Sequence, residues 1–566
     1  MRGGELFLDY QEWARRDDVT NHDRRAIRDH IRRLDCLPLF SLVLLPRPEG
    51  PSSPSAALMN SIFSQLYPQW ELWTTPGSQS TGDVRVRMIP GAGWDADPAK
   101  TFNAALTASE GEFILPIPPE VELSETALYE LAAAVAQKTI GDVFYTDEDR
   151  FDRQGVRCMP RFKTGWDPEL ALGRDPIGLL VAYRKDLLNE IEGMTPSSSV
   201  DLSLYELSLR ATSNARPGGI HHIPAVLCHR RPNQAGLPSK HAEEVRETVR
   251  GWLISNNIDA KVVPAPLNPV WNRIIREVPE PLPMVSVIVP TRDRSDLLER
   301  CADGVLFRTN YPALELIVVD NGSIEPATIE LLEELSADPR VRIISAPGIF
   351  NYPALNNAAA REAAGDILLL LNNDIDVIEP DWLLELVSHA VRPEVGAVGA
   401  KLLYADRRVQ HAGVVMGPGM ALVHKLRLAD RNDIGPFGEL ALTREVSAVT
   451  GACMAMRRTV YFEVGGLDEN LRVAFNDIDL CLRIGNHGYR IVWTPFAELF
   501  HLESASRGYD QESPEKLELA DRESRYFARY WKSVLDDDPF HNPNIVYRWE
   551  STTLADTPRR RKPWQT

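Results

Sequence analysis

The chain has 566 residues, which is too long for one hydrophobic core and predicts roughly three to four domains. Hydrophobic residues make up 44% of the chain and charged residues 25%, as in ordinary soluble globular proteins. The formal net charge of −18 argues against a general nucleic-acid binder, which needs a basic face. The six cysteines lack zinc-site spacing and are too few for a disulfide scaffold, so reduced and mostly buried thiols are expected.

Residues 1–35 predict one or two short helices and contain no apolar segment like that of a signal peptide. No apolar run elsewhere approaches the ~18 residues that a membrane-spanning helix needs. A cytoplasmic protein is therefore expected, with any membrane contact peripheral and at the inner face of the cell membrane. The basic run Arg559–Lys562 could bind phosphate or an anionic membrane surface, but a solvated tail is the simpler interpretation.

Two stretches of the chain repeat the same order of strands and helices. In residues 36–232, strands are expected at 37–45, 70–73, 84–86 and 111–115, and from residue 284 at 284–289, 314–320, 341–344 and 366–371. Strands alternating with helices predict a mainly parallel sheet. A Tyr-Pro pair (67–68 and 311–312) and a later glycine (Gly111 and Gly365) recur at matching places, which indicates duplication of a whole domain.

The regions outside the two copies carry weaker patterns. Residues 233–283 combine a helix-like run at 241–252 with prolines that favour an extended, semi-rigid connection. We place the second copy at 284–510. Residues 511–566 predict an aromatic-rich helix at 515–532 and then an irregular tail.

The second copy contains an apolar run, Ile367–Leu371, that leads directly into Asn372–Asp376. A short apolar run with polar borders predicts a buried central strand. Its carboxyl end would bring Asp374 and Asp376 to the edge where open α/β sheets bind ligands. Two such carboxylates can hold a divalent cation and a diphosphate, although an ordinary Asn/Asp turn has the same composition.

Polar residues also follow two neighbouring strands of this copy. Pro290–Asp293 ends the first strand and Asp320–Ser323 ends the second, so both are expected to face the same crevice as Asp374. Further along, Asp477 begins a helix and His501 follows a strand. Each has a plain structural alternative, a helix cap for Asp477 and a structural histidine for His501.

Together these motifs resemble inverting family 2 glycosyltransferases of the GT-A fold over residues 284 to about 510. Two-module bacterial enzymes that build O-antigen or other surface polysaccharide, several described as rhamnosyltransferases, are similar over most of the chain. The matching stretches are Val287–Thr291, Val318–Ser323, Asn372–Asp376, Gly465–Asp468 and Asn476–Asp477, with Phe144–Asp149, Phe162–Lys163 and Trp166 in the first copy.

The resemblance implies a fold of two tandem GT-A-like (Rossmann-related) α/β domains, the first degenerate, with helical N- and C-terminal extensions. It implies nucleotide-sugar binding by Pro290, Thr291, Arg292, Asp320, Asn321, Asn356 and Asp374. It also implies a divalent cation, Mg²⁺ or Mn²⁺, on Asp376 as principal ligand with Asp374 and His501. Asp477 would be the general base, preceded by Asn476 where many relatives have Glu.

The expected reaction moves a sugar from a nucleoside-diphosphate sugar to a surface glycan or its lipid-linked precursor. The enzyme's other expected partners are polysaccharide-assembly proteins, and no nucleic acid is expected. A nucleotidyltransferase acting on sugar phosphates and an inactive glycan-binding scaffold remain as alternatives. A processive membrane synthase is disfavoured because neither spanning segments nor a Gln-x-x-Arg-Trp motif is present.

The first copy lacks the acids at the corresponding positions. Pro116–Glu120 stands where the second copy has Asn372–Asp376, and Thr75–Ser78 where it has Asp320–Ser323. We therefore expect it to serve acceptor binding or assembly rather than catalysis. The acidic cluster Asp147, Glu148, Asp149 and Asp152 fits either a remnant site or a solvated acidic loop.

Overall fold

The structure is a computed structural model that describes residues 10–46, 54–75, 82–89, 97–231, 239–417, 421–502, 514–535, 537–547 and 552–565. The start of the chain before residue 10, the stretch Pro76–Ser78 of the first copy and the proposed boundary at 510 lie outside the described residues. In the part that is described, no helix has the length and apolar character needed to cross a membrane.

The first module is built from an N-terminal helix pair and one large sheet. Its helices are α1 Tyr10–Asp17, α2 Asn21–Ile31, α3 Ala56–Phe63, α4 Pro98–Ala108, α5 Ala127–Gln137, α6 Pro168–Gly173, α7 Lys185–Glu190 and α8 Val200–Asn214. Its strands are β1 Phe40–Leu44, β2 Trp70–Thr74, β3 Val86–Met88, β4 Phe113–Ile117, β5 Val121–Leu123, β6 Val143–Phe151, β7 Arg157–Arg161, β8 Val181–Arg184 and β9 Ile220–Arg230.

A helix and a hairpin connect the modules, and the second module follows. The connecting elements are α9 Ser239–Ser255, β10 Ala260–Ala265 and β11 Asn268–Arg276. The second module's helices are α10 Ser295–Phe307, α11 Pro326–Leu335, α12 Tyr352–Glu362, α13 Trp382–Ala390, α14 Arg458–Glu463 and α15 Asn476–Asn486. Its strands are β12 Val285–Thr291, β13 Leu314–Asp320, β14 Val341–Ser345, β15 Ile367–Leu371, β16 Ile375–Val377, β17 Val395–Leu403, β18 Val409–His411, β19 Val414–Gly417, β20 Ala421–His424, β21 Arg444–Glu445, β22 Cys453–Arg457 and β23 Arg490–His501. The chain then forms α16 Pro514–Leu535, β24 Ile545–Tyr547 and β25 Thr552–Leu554.

The two main sheets have the same strand order. The first runs β3-β2-β1-β4-β8-β6-β9-β5 and the second β14-β13-β12-β15-β22-β17-β23-β16. In both, the strands on one side are parallel, and the fifth strand in the order pairs antiparallel with the fourth. The prediction of two copies of one α/β domain is confirmed, but each sheet is mixed rather than mainly parallel.

The recurring glycine marks a tight crossing of the chain that is repeated in both modules. Gly111 donates its backbone N–H to Ser41 Oγ at 3.0 Å, and Gly365 donates to Ser286 Oγ at 2.8 Å. In each module this serine also donates to a buried glutamate, Glu71 or Glu315, at 2.6 Å. A Cβ atom on Gly365 would lie 2.6 Å from the Ser286 nitrogen, so the crossing requires glycine.

The region between the modules is more ordered than the sequence predicted. Helix α9 buries Val249 and Leu253 against Leu202 and Tyr205 of α8, and the β10–β11 hairpin follows it. The helix-like run predicted at 241–252 corresponds to α9, the hairpin was not predicted, and the prolines at 279–283 lie outside helices and strands. The apolar residues of α9 form a small core with the first module.

The C-terminal segment returns to the first module instead of forming a solvated tail. Asn542 Nδ2 donates to Asp147 Oδ2 at 2.9 Å, and Trp564 Nε1 donates to Asp23 Oδ1 at 2.7 Å. Arg560 is 8% exposed and forms an ion pair of 2.6 Å with the buried Glu130. The interpretation of the basic run as solvated is thus wrong for Arg560, whose charge is balanced inside the protein.

Candidate active site

The carboxyl ends of β12, β13 and β15 meet at one edge of the second sheet. Thr291 lies opposite Asp320 in the parallel register of β12 and β13. Asn373, in the turn after β15, donates its amide to Thr291 Oγ at 3.0 Å. Because Asn373 is buried, this hydrogen bond fixes the position of the turn that carries Asp374. The three strand ends predicted to face one crevice are therefore adjacent.

The turns after β12 and β13 are joined through Asp293 and Ser323. Asp293 Oδ1 accepts the backbone N–H groups of Ile324 and Glu325 at 2.7 and 2.9 Å, and these bonds lower the Asp293 pKa. Asp320 Oδ1 accepts from the backbone and the hydroxyl of Ser323 at 2.9 and 2.6 Å. This side of the crevice is preorganised by hydrogen bonds.

The other predicted nucleotide-sugar residues have different degrees of exposure. Arg292 is exposed directly after β12, whereas Pro290 is buried near the end of that strand. Asn321 is 2% exposed and donates to Ala346 O at 2.8 Å. Asn356 is fully buried and donates to Tyr352 O within its own helix, so its assignment to the nucleotide sugar stays a prediction.

Asp374 and His501 face each other across the end of the sheet. His501 ends β23, which pairs antiparallel with β16 so that His501 lies opposite Ile375. The His501 Nε2 atom is 3.2 Å from Asp374 Oδ1 and 3.3 Å from Asn372 Nδ2. Asp374 is 5% exposed, and its Oδ1 atom has no hydrogen-bond partner among the described residues.

Asp376 points to a different neighbour. Its Oδ1 atom forms a 2.6 Å ion pair with Arg308, which follows α10 and also donates to Val377 O at 2.8 Å. The Asp376 side chain is 22% exposed and that of Arg308 is 40% exposed. The prediction of Asp376 as the principal metal ligand stays a prediction, but its carboxylate is already paired with a cation.

Asp477 lies in the first turn of α15 and contacts the segment that precedes β22. Its Oδ2 atom accepts from the backbone N–H of Gly451 at 2.9 Å. The next residue, Ala452, accepts from the backbone N–H of Asn372 at 3.0 Å. The short segment 450–452 therefore connects the predicted base to the turn that carries Asp374.

Asn476 has a structural role that explains the departure from the family pattern. Its side-chain amide donates to the backbone carbonyls of Leu471 and Val473 at 3.2 and 3.0 Å. A glutamate at this position could not donate these two bonds. Asn476 thus holds the loop before α15 and leaves Asp477 in place.

The buried His411 contacts the same segment and is paired with the partly buried His424. His411 Nε2 accepts from the backbone N–H of Thr450 at 3.3 Å, and its Nδ1 atom is 2.8 Å from Nδ1 of His424. Burial lowers the pKa of His411 well below its ordinary value, so the ring is neutral. Its neighbour Gln410 contacts His501 Nδ1 at 2.6 Å. The sequence analysis missed these residues because no motif marks them.

Residues 286–465 match the family described as Glycosyl transferase family 2. The chain belongs to this family. This membership confirms the family resemblance and the prediction of a glycosyltransferase, and the mixed α/β sheets agree with the predicted fold class.

Three curated relatives align with different fractions of this family 2 protein. Uncharacterized protein y4gI of Sinorhizobium fredii is 37% identical over 544 residues, which are 93% of this chain and 59% of the relative. O-antigen biosynthesis protein RfbC of Myxococcus xanthus is 36% identical over 581 residues, 98% of this chain and 43% of the relative. N-acetylglucosaminyl-diphospho-decaprenol L-rhamnosyltransferase of Mycobacterium tuberculosis is 26% identical over 257 residues, 41% of this chain and 79% of the relative. The chain thus spans about half the length of the first two relatives.

Three acids of the cluster in the first module of this family 2 protein, Asp147, Glu148 and Asp149, contact basic residues or histidines. Asp147 and Asp149 are buried on β6, and their carboxylates contact His222 at 2.8 Å and His229 at 2.6 Å. Glu148 forms ion pairs with two basic residues, Arg161 at 3.1 Å and Lys163 at 3.0 Å. The three acids have protein partners and join β6 to β7 and β9, so the interpretation as a solvated acidic loop is wrong for them, whereas the remnant site stays a prediction.

A divalent ion would find two protein donors in the second module. No group of three or more His, Cys, Asp and Glu side chains within the described residues is arranged to hold a metal ion. However, the partnerless oxygen of Asp374 faces a ring nitrogen of His501 at 3.2 Å. In an octahedral Mg²⁺ complex each ligand atom is ~2.1 Å from the ion. Two ligand atoms at right angles about the ion therefore lie roughly 3.0 Å from each other. The pair fits such an ion if phosphate oxygens and water supply the remaining ligands.

Proposed function

We propose that residues 284–510 transfer a sugar, with inversion, from a nucleoside-diphosphate sugar to a bacterial surface glycan or its lipid-linked precursor. The observation that carries this proposal is that the segment 450–452 contacts both Asp477, through Gly451, and the turn that carries Asp374, through Asn372. One side of the crevice thus offers a carboxylate base and the other a site for diphosphate. The names of the Myxococcus and Mycobacterium relatives support the surface glycan and the diphospholipid acceptor.

The donor would lie across the carboxyl ends of β12, β13 and β15. Asp320 and the turn beginning at Thr291 would hold the nucleoside, with Arg292 at the exposed side. Asp374 and His501 would hold a divalent ion, with Asp374 ahead of Asp376 because Arg308 already pairs with Asp376. When bound, such an ion stabilises the negative charge that develops on the leaving diphosphate.

Asp477 would act on the acceptor. Its carboxylate takes the proton of the acceptor hydroxyl while that oxygen bonds to the anomeric carbon of the donor sugar. The bond from this carbon to the diphosphate oxygen breaks on the opposite face, and its electron pair leaves with the nucleoside diphosphate. A positioned general base of this kind contributes roughly 10²–10⁴ in rate.

The proposal is tested with purified protein, a panel of nucleoside-diphosphate sugars, and lipid-linked diphosphate acceptors. We expect one donor to release nucleoside diphosphate in a reaction that needs Mg²⁺ or Mn²⁺ and is abolished by chelation. The Asp477→Asn variant should lower kcat by about 10²–10⁴ and leave donor binding intact.

The matched control is Asp338→Asn, which alters a surface carboxylate paired with Arg340 just before β14, at the opposite end of the sheet. This control should retain the activity of the unaltered chain. Failure to cleave any donor of the panel, or full activity of Asp477→Asn, would refute the proposed function.

A further inference from the structure

Gln410 is a buried polar residue that makes two hydrogen bonds with His501. It lies on the short strand β18 and is 5% exposed. Its Nε2 atom is 3.3 Å from the backbone carbonyl oxygen of His501, and its Oε1 atom is 2.6 Å from His501 Nδ1. The two residues are 91 positions apart in the chain.

The two hydrogen bonds determine where the imidazole carries its proton. A backbone carbonyl only accepts, so the amide nitrogen of Gln410 must face it and the amide oxygen must face the ring. An amide oxygen also only accepts, so Nδ1 of His501 carries a hydrogen. In the neutral ring Nε2 then carries the lone pair, and it is this atom that lies 3.2 Å from Asp374 Oδ1.

The alternative tautomer would close the site. With its proton on Nε2, His501 would have no lone pair on that atom to offer a cation. With the proton on Nδ1, two electron-rich atoms face each other at 3.2 Å, and Asn372 Nδ2 can donate to His501 Nε2 at 3.3 Å. A cation between Nε2 of His501 and Oδ1 of Asp374 would bind both atoms.

We propose that Gln410 is a positioning residue that holds His501 in the metal-ligating tautomer. This inference rests on the proposed function, since it concerns the ion that Asp374 and His501 would share. Partners of metal-bound histidines set ring orientation and basicity, and losing one costs about 10–100-fold in metal affinity. Gln410 would act on the ion through its hydrogen bond to His501 Nδ1.

The test measures Mn²⁺ binding to the full chain by electron paramagnetic resonance at saturating inorganic diphosphate, with no sugar donor present. Gln410→Leu introduces an apolar side chain of similar size and removes the acceptor, so we expect Mn²⁺ affinity to fall about 10–100-fold. Gln410→Glu keeps an oxygen acceptor and should retain or tighten binding. The ¹⁴N coupling of Mn²⁺ to a histidine ring should be present in Gln410→Glu and weakened or lost in Gln410→Leu.

Two further variants separate this inference from the proposed function. His501→Ala should abolish the ¹⁴N coupling and weaken Mn²⁺ binding. Gln65→Leu is the matched control, because Gln65 makes similar side-chain hydrogen bonds to Ser61 O and Ser124 O in the first module. It should bind Mn²⁺ like the unaltered chain.

The outcomes are distinguishable. Unchanged affinity and ¹⁴N coupling in Gln410→Leu, with loss of both in His501→Ala, would overturn the role of Gln410 and leave the metal site standing. If His501→Ala also binds Mn²⁺ like the unaltered chain, or if the unaltered chain binds none, the proposed metal site fails together with this inference. Circular dichroism and thermal unfolding of each variant identify any loss of fold.

Discussion

Asp374 and Asp376 are two positions apart but face different surroundings. Asp374 is buried, and one of its oxygens has no hydrogen-bond partner among the described residues. Asp376 is more exposed, and Arg308 already neutralises it. Burying a carboxylate oxygen without a hydrogen-bond donor costs folding free energy unless a ligand contacts that oxygen. This difference supports the proposal that Asp374, rather than Asp376, is the main ligand of the ion.

Substituting each acid separately tests this assignment. We expect Asp374→Asn to lower kcat/KM by about 10²-fold or more, because a metal ligand next to the diphosphate is lost. Asp376→Asn should cost less than about tenfold, since it removes a surface ion pair with Arg308. The measurement is kcat/KM for the donor at several Mn²⁺ concentrations. Equal losses in the two variants, or a larger loss in Asp376→Asn, would restore Asp376 as the principal ligand.

The sequence predicted the residues that short motifs carry, but not their partners. Asp320, Asp374 and Asp477 each follow a recognisable local pattern, and the structure brings their segments together. Arg308 is 68 positions from Asp376, and Gln410 is 91 positions from His501. Contacts over such distances depend on how β18 and α10 pack, which local patterns do not encode. The pairing of Asp376 with Arg308 could therefore not be predicted.

Among the elements, helix α16 supports the loop that precedes Asp477. Phe527 stacks on Phe475 with ring centroids 5.2 Å apart, and Glu523 accepts the backbone N–H of Ala474 at 2.8 Å. Phe475 has a left-handed backbone with φ of 64°, which costs about 1–3 kcal/mol in a non-glycine residue. The packing of α16 over this loop offsets that strain and directs Asp477 toward Gly451.

Truncation of Phe527 should therefore affect catalysis as well as stability. We expect Phe527→Ala to lower the free energy of unfolding by about 3–5 kcal/mol. Because the loop would relax and displace Asp477, kcat should fall by up to about 10²-fold while KM for the donor changes little. The measurement is kcat and KM at a temperature where circular dichroism shows the variant folded.

The control for this prediction is Tyr530→Ala on the same helix, where the aromatic ring is 58% exposed. It should change neither stability nor kcat appreciably. A destabilised Phe527→Ala with unchanged kcat would show that α16 serves the fold alone.

The sequence predicted helices and strands well where their periodicity was strong. Helix α16 was expected at 515–532 and spans 514–535, and β15 was expected at 366–371 and spans 367–371. The β10–β11 hairpin was missed because Pro264 and Pro269 argue against strands. Proline is tolerated in this case because the hairpin is a separate two-stranded sheet, so both its strands are edge strands.

In the whole molecule, a buried charge cluster joins the two modules. Glu169 of α6 in the first module contacts Arg276 of the connecting hairpin at 3.4 Å and Arg392 of the second module at 2.6 Å, and it also pairs with Arg490 at the start of β23. Burial opposes its ionisation, but these guanidinium groups outweigh that effect and lower the Glu169 pKa well below its usual value. The degenerate module is therefore attached to the strand that ends at His501. Nothing in the sequence predicted this, because the participants come from three separate regions.

Neutralising Glu169 should destabilise the whole chain. In Glu169→Gln the three arginines keep their positions but lose the carboxylate between them, and breaking a buried ion pair costs about 3–5 kcal/mol. The matched control is Glu394→Gln, since Glu394 contacts the same Arg392 and Arg490 but its side chain is 44% exposed. Exposed pairs contribute about 0–1 kcal/mol, so the control should unfold almost like the unaltered chain. The measurement is the urea midpoint followed by tryptophan fluorescence; equal midpoints for the two variants would mean that the cluster does not hold the modules together.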